Sequence, residues 1–263
     1  MLPLDEYRAM RHRPPGRPVM YQRWRDLLFL HFSVAPAALQ DLVPKGLTID
    51  TYPDSEGNEH AWVGLIPFRM EGIRPRGLPS LPWLSAFEET NVRTYVHREG
   101  KEPGVWFFTL DAARWMACRI ARRSHHLPYL HAIMECMREG NRVVYASKRK
   151  DGTSEVRNFR TSELVSVRSP GLKLEAQIGP AMPIAEPGSL EFFLIERYLL
   201  YAEHKSRLFT GRVFHRPYGL RQASLTSCSQ NLVQAVGIEC REWEHICFSH
   251  GVDVEVFPLK GTP

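Results

Sequence analysis

The chain has no long apolar run. Its most apolar early stretch, Leu27 to Phe32, is far too short to cross a bilayer. The opening segment MLPLDEYRAMRHRPPGRP lacks the apolar centre of a secretory signal. The five cysteines are an odd number and form no C-x-x-C pair. That argues against a disulfide framework and a structural zinc site, and makes a reducing cytoplasm the expected compartment. Glycines nowhere form G-x-G-x-x-G or a P-loop, and Ser224 to Ser229 (SLTSCS) is not a G-x-S-x-G elbow. Dinucleotide, ATP and serine-hydrolase readings therefore lack support. Heptads, low-complexity tracts and 20–50-residue repeats are missing too, which leaves solenoids and coiled coils aside.

What is present is an ordinary globular composition. The chain has 263 residues, 43% of them hydrophobic, and a formal net charge of +5. So small an excess does not call for nucleic acid as a partner, and anionic small molecules explain it as well. Part of the excess lies in residues 1–19, a Pro- and Arg-rich segment expected to be a mobile or wrapped arm. Residues 20–263 read as one domain, with no break in composition.

Many short strands with tight turns and few helices predict an α+β, mostly antiparallel fold: a sheet or barrel with helices outside. Trp24 to Val34 is a buried strand and Pro36 opens a short helix. Leu47–Tyr52 and Glu59–Phe68 read as a hairpin, and Gly72–Pro82 as a loop. Asp111 is placed to cap a helix over Ala112–Arg123 with an apolar stripe at Ala113, Met116, Ala117 and Ile120. Asp151-Gly152 signals a hairpin between Arg142–Lys148 and Glu155–Arg160. Ser189 caps the apolar helix LEFFLIE.

The chemistry concentrates between Ser85 and Leu130. In FEETNVRTYV, strand alternation puts Glu89, Asn91, Arg93 and Tyr95 on one face. Burying such a face is costly unless its groups are paired. Glu89 is a candidate acid or base, since burial raises a carboxyl pKa toward working pH. The plainer alternative is a structural ion pair between Glu89 and Arg93. Arg25, at the mouth of an apolar strand, suits bidentate carboxylate capture, or is an ordinary surface arginine. His125, His126 and His131 cluster, with Glu135 on the face of His131 if that segment is helical, but the spacing fits no metal motif and no metal or other cofactor is expected. Lys45, Lys148, Lys150, Lys173 and Lys205 all sit in polar text, so none reads as a desolvated amine. Glu196 and Tyr198 share one strand face, with Arg197 on the other. Glu89, Arg93, Arg197 and Tyr198 could instead form a buried polar network that fixes register. His215, in VFHRPY, is either a pocket residue or a satisfied core histidine.

Taken together, WRDLLFLHF, LVPKGLTIDTY, AWVGLIPFRM, FEETNVRTYV, GVWFFTLDA, LPYLHAIM, ERYLLY, VFHRPY and SHGVDVEVF resemble the YqjF-type proteins of the DUF2071 family, over about Tyr21 to Leu259. That family's fold is related to acetoacetate decarboxylase. The resemblance implies a cone-shaped, mostly antiparallel β-barrel with flanking helices and a central pocket. Acetoacetate decarboxylases are similar in the segment VPKGLTID, carry an Arg where Arg25 falls, and carry a pocket Glu where Glu89 falls. Their catalytic lysine pair follows a Pro that closes a helix starting from L-D. Here the two positions after Pro128 are Tyr129 and Leu130, so the Schiff-base lysine is absent. Decarboxylation through an iminium needs an amine, and a phenol cannot form one.

The resulting expectation is a small-molecule-binding barrel. Arg25 would anchor an anionic group, with Asn91, Arg93 and His215 as further binding residues. Glu89 and Tyr129 would act in proton transfer or hydrogen bonding. Proton transfer or lyase-like chemistry on an oxo acid stands beside a non-catalytic binder or sensor. Neither a nucleic acid nor a membrane is expected as partner, and a homo-oligomer stays open.

Overall fold

The computed structural model of the protein describes residues 1–81, 85–150, 152–158 and 163–262. Its strands are β1 (Met20–Val34), β2 (Thr48–Ile49), β3 (Tyr52–Pro53), β4 (Glu59–Pro75), β5 (Phe87–Arg98), β6 (Lys101–Ala112), β7 (Tyr129–Glu139), β8 (Arg142–Arg149), β9 (Thr153–Arg157), β10 (Leu164–Arg168), β11 (Gly171–Ala181), β12 (Leu199–His204), β13 (Arg207–Phe214), β14 (Leu220–Gln230), β15 (His245–Val256) and β16 (Lys260–Gly261). The helices are α1 (Leu4–Arg11), α2 (Ala37–Gln40), α3 (Trp115–His125) and α4 (Leu190–Ile195). No helix among the described residues is long and apolar enough to cross a membrane.

The long strands form one large sheet, antiparallel except for the β6–β7 and β6–β12 pairs. In the order β6, β12, β13, β15, β1, β4, β5, each strand bonds to the next, and β5 bonds back to β6. The apolar residues sort by strand face into two cores. Phe29, Phe68, Tyr95, Leu110 and Phe193 fall in one, with Leu28, Leu65, Val92, Tyr145 and Phe248 in the other. The period-2 alternation of the sequence thus becomes an inside and an outside of the sheet.

One irregularity sets which residues of β1 face inward. Asp26 takes a left-handed φ of 50°, and Gly251, opposite Arg25, takes a φ of 135°. A Cβ on Gly251 would lie 2.0 Å from the Trp24 carbonyl oxygen, so only glycine fits. Pairing of β1 with β4 shifts register just after Arg25. Asp26 is held by Arg69 (2.8 Å) and Arg138 (2.7 Å), and its carbonyl accepts from the Tyr145 hydroxyl. Trp24 and Leu27 consequently share the inner core, although they are three residues apart.

Several local expectations are corrected. Asp111 does not cap α3. It pairs with Arg149 at 2.8 Å, both side chains almost fully buried, and the helix begins at Trp115 without a side-chain cap. A buried guanidinium needs that carboxylate more than an exposed helix end does. Met116 and Ile120 are exposed, while Cys118 faces the core. β8 does not form a hairpin with β9, because its two edges are occupied by β7 and β11, and β9 pairs with β10. Asp151 and residues 159–160 of that expected hairpin, and Pro82 of the expected loop, lie outside the described residues. The 47–52 segment splits: β2 pairs with β5, and only β3 meets β4. Ser189 does cap α4, its Oγ accepting from the Phe192 amide at 3.1 Å.

The N-terminal segment contains α1, and Tyr7 on it is buried. The Tyr7 hydroxyl donates to both Asp50 carboxylate oxygens, at 2.8 and 2.9 Å. Tyr7→Phe is expected to cost about 1–2 kcal/mol, and Tyr7→Ala about 3–5 kcal/mol, in urea denaturation. A denaturation midpoint unchanged in both variants would mean that α1 does not hold to the core.

Candidate functional site

A cavity of about 380 Å³ opens inside the ring of strands. Its wall is mainly apolar, with Trp24 from β1, Phe68 and Met70 from β4, Phe87 from β5, Leu110 from β6 and Val213 from β13. Its polar lining comprises Glu89, Tyr129, Arg93 and Arg197, together with Gln22, Ser85 and His125.

Glu89 sits on β5, opposite Phe68 on β4 and Ala112 on β6, and is 3% exposed. The Tyr129 hydroxyl donates to its Oε2 at 2.8 Å. Tyr129 is the first residue of β7, directly after Pro128, and pairs in parallel with Leu110. Among the described residues Glu89 has no ion pair. Burial pushes its carboxyl up to about 8, opposed by the Tyr129 hydrogen bond and assisted by the nearby Asp111 charge. Burial and the Glu89 carboxylate also hold the Tyr129 phenol well above its ordinary value. At neutral pH the pair is therefore mostly a neutral acid beside a neutral phenol. Cys118 on α3 lies close by, its thiol raised to about 11, first by burial.

The two cations stand at another level. Arg93 is four residues beyond Glu89 on the same strand face. It donates to the Leu194 carbonyl at 3.1 Å and lies 6.0 Å over the Phe29 ring. Arg197 follows α4. Its Nη1 bonds Asp50 at 2.8 Å and its Nε bonds the Phe193 carbonyl at 2.6 Å. Its side chain is 2% exposed, and it packs against the rings of Phe193 (4.4 Å), Tyr95 (4.9 Å) and Tyr7 (5.1 Å). Its Nη2 is buried with no hydrogen-bond partner. A buried donor left unmade costs free energy, so this atom lacks an acceptor that its burial calls for.

Of the residues singled out in sequence, Glu89, Arg93 and Tyr129 share the cavity. Arg25 does not. Behind the parity change at Asp26 it turns outward, pairs with the exposed Asp253 at 2.5 Å, and donates to the Val252 carbonyl. Asn91 is buried between Glu89 and Arg93 with its Oδ1 unpartnered, and it does not line the cavity. His215 lies behind the wall, stacked on Tyr198 with ring centroids 4.6 Å apart and 6.0 Å from Trp24. Its Nδ1 meets the Arg216 carbonyl, and burial lowers its pKa to about 4. Glu89, Arg93, Arg197 and Tyr198 do not bond to one another: Tyr198 donates to Glu196, which also accepts from the Tyr218 amide, while Arg197 turns to Asp50. Glu89 and Arg93 are not an ion pair.

His131 and Glu135 lie on a strand, not a helix. No group of three metal-ligating side chains occurs among the described residues. Every lysine is exposed, and none lines the cavity. Arg197 is the residue that sequence reasoning undervalued. Its signal was an arginine between a mostly apolar helix and a strand, with Asp50 waiting in LTID.

The fold is acetoacetate-decarboxylase-like. The chain has a TM-score of 0.59 to an acetoacetate decarboxylase from Legionella pneumophila, at 11% identity, covering 97% of this chain and 94% of that one. An acetoacetate decarboxylase-like enzyme from Sphingomonas wittichii RW1 gives 0.59 at 12% identity, with 94% of each chain covered. The enduracididine biosynthesis enzyme MppR, solved with pyruvate, gives 0.58 at 11% identity over 94% of this chain and 91% of that one. Residues 21–253 match the model of DUF2071, described as an uncharacterized conserved protein. The chain is 35% identical over 248 residues to the uncharacterized protein YqjF of Bacillus subtilis (strain 168), 94% of each being covered. The chain belongs to the DUF2071 family.

The raised Glu89 pKa has a consequence for stability. Folded Glu89 keeps its proton up to about pH 8, whereas the unfolded side chain releases it near the ordinary value of about 4.3. Between those limits the native state binds more protons, so this group lowers stability as pH rises. Glu89→Gln is therefore expected to gain roughly 2–4 kcal/mol relative to wild type between pH 5 and 8. Urea denaturation at several pH values measures this, and parallel profiles for the two proteins would contradict it.

Proposed function

We propose that the cavity binds a small carboxylate and that Glu89 and Tyr129 transfer or share protons with it, without a Schiff base. The observation carrying this reading is a mostly neutral Glu89–Tyr129 pair, in an apolar chamber, apart from two arginines, one with a free buried Nη2. A carboxyl group titrating near 8 can give up or take a proton at working pH. Arginine is suited to a planar carboxylate. Arg93 and Arg197, and not Arg25, take the anchoring role.

The chemistry that fits is removal and return of a proton at a carbon next to a carbonyl. Tyr129 hydrogen-bonds the carbonyl oxygen as charge develops, and Glu89 exchanges the proton. MppR was solved with pyruvate, and a carboxylate ligand for this chain accords with that neighbour. Iminium decarboxylation is not part of the proposal, because no lysine lines the chamber.

The second reading is a non-catalytic binder or sensor. It is favoured by the lack of a lysine or cysteine among the described residues lining the wall, and the nearby Cys118 is buried in the core with its thiol pKa raised. Incubation with oxo acids in heavy water, followed by NMR, separates the two. The enzyme reading expects deuterium to enter beside the carbonyl, at least about a hundredfold more slowly in Glu89→Gln. Thermal stabilisation without any exchange selects the binder. A borohydride-trapped adduct on wild type would overturn the Schiff-base-free chemistry.

A further inference from the structure

Resting on the reading above, we infer that the ligand is a carboxylic acid of medium length with an apolar body, and not a short 2-oxo acid. Its carboxylate meets Arg93 and Arg197 at the inner end, and a polar group several carbons away meets Glu89 and Tyr129.

The strand spacing provides the ruler. Glu89 and Arg93 lie four residues apart on β5, so their Cα atoms are separated by roughly 13 Å. Arg93 and Arg197 both lie against the ring of Tyr95, at 5.5 and 4.9 Å. No ion pair joins Glu89 to either cation among the described residues, and neither cation is a cause of its pKa shift. A short 2-oxo acid carries its carboxylate and carbonyl on adjacent carbons. The Glu89–Tyr129 pair and the arginines make no direct contact among the described residues, so a ligand that meets both must span the gap between them. An acid with several intervening methylenes touches both at once.

The wall agrees with that length. The cross-strand pairs give the depth of each residue: Arg93 is level with Gly64, Glu89 with Phe68, and Phe87 with Met70. Met70 is level with Trp24, and Met20 with Pro75 further out. From Glu89 to the mouth the lining is therefore Phe68, Met70, Trp24 and Phe87, and then Met20. Leu78, Leu81 and Ile120, all exposed, also line the cavity, as do Gln22, Ser85 and His125. Apart from His125 this stretch holds no ionisable side chain to receive a second anion, and its apolar residues can cover a hydrocarbon. Arg197 is pinned by Asp50 and the Phe193 carbonyl, so its unpartnered Nη2 cannot swing out to follow a short ligand.

Isothermal titration calorimetry of the full chain with pyruvate, hexanoate, octanoate, decanoate and decanamide tests the inference. Each methylene added from hexanoate to octanoate should tighten binding about fourfold. Decanamide, which lacks the charge, should bind at least about tenfold more weakly than decanoate. Ala117→Trp, on the half-buried side of α3 facing the cavity, should abolish binding of all of them. Pyruvate binding as tightly as octanoate would overturn the medium-length assignment while leaving the carboxylate site intact. Equal affinity for decanoate and decanamide would overturn the arginine anchor. Unchanged binding in a folded Ala117→Trp would move the ligand elsewhere and overturn the placement. If no carboxylate of any length binds, the proposed function falls with the inference.

Discussion

A carboxyl group buried without a cation is the constraint on which the site depends. Glu89 has one polar partner of consequence, the Tyr129 hydroxyl, and lies in an apolar wall with Asp111 behind it. Ionising it there carries the full cost of desolvation. The carboxyl therefore keeps its proton at neutral pH, which makes it a donor as well as a base. Placing Arg93 or Arg197 next to it would have produced an ordinary ion pair and an ordinary carboxylate. The spacing of the strand keeps them apart.

The cationic end is built by a different set of contacts. Asp50 receives Tyr7 from the N-terminal helix and Arg197 from the segment after α4, all of them buried. Its carboxylate neutralises Arg197 on one side only and leaves Nη2 buried without a partner. The basic N-terminal segment is thereby linked to the chamber through the Asp50 bonds to Tyr7 and Arg197. The same logic governs the Asp111–Arg149 pair, which draws Asp111 away from the helix it was expected to cap.

Much of the architecture could be read from alternation and turns. The polar face of β5 gave Glu89 and Arg93, and the family resemblance, not alternation, pointed to Tyr129 after Pro128; all three line one cavity. Arg25 could not be placed this way. Strict alternation puts it beside Leu27 and Phe29, inside. Asp26 in a left-handed conformation reverses the parity, and nothing local to WRDLL announces it, since aspartate adopts that conformation only occasionally. The signal was remote, in Gly251 on the neighbouring strand. His215 was misplaced for another reason: a histidine near a pocket and one stacked behind its wall have the same neighbours in sequence. The β8–β9 hairpin failed because turn chemistry says nothing about which strand edges are already occupied.

The account turns on the protonation state of Glu89. Following its carboxyl carbon by NMR across pH, with Glu89→Gln to assign the resonance, measures that state directly. The account predicts a midpoint near 8. A midpoint in the ordinary glutamate range, about 4 to 5, would show a solvated or ion-paired carboxylate and contradict the neutral acid at the centre of the site.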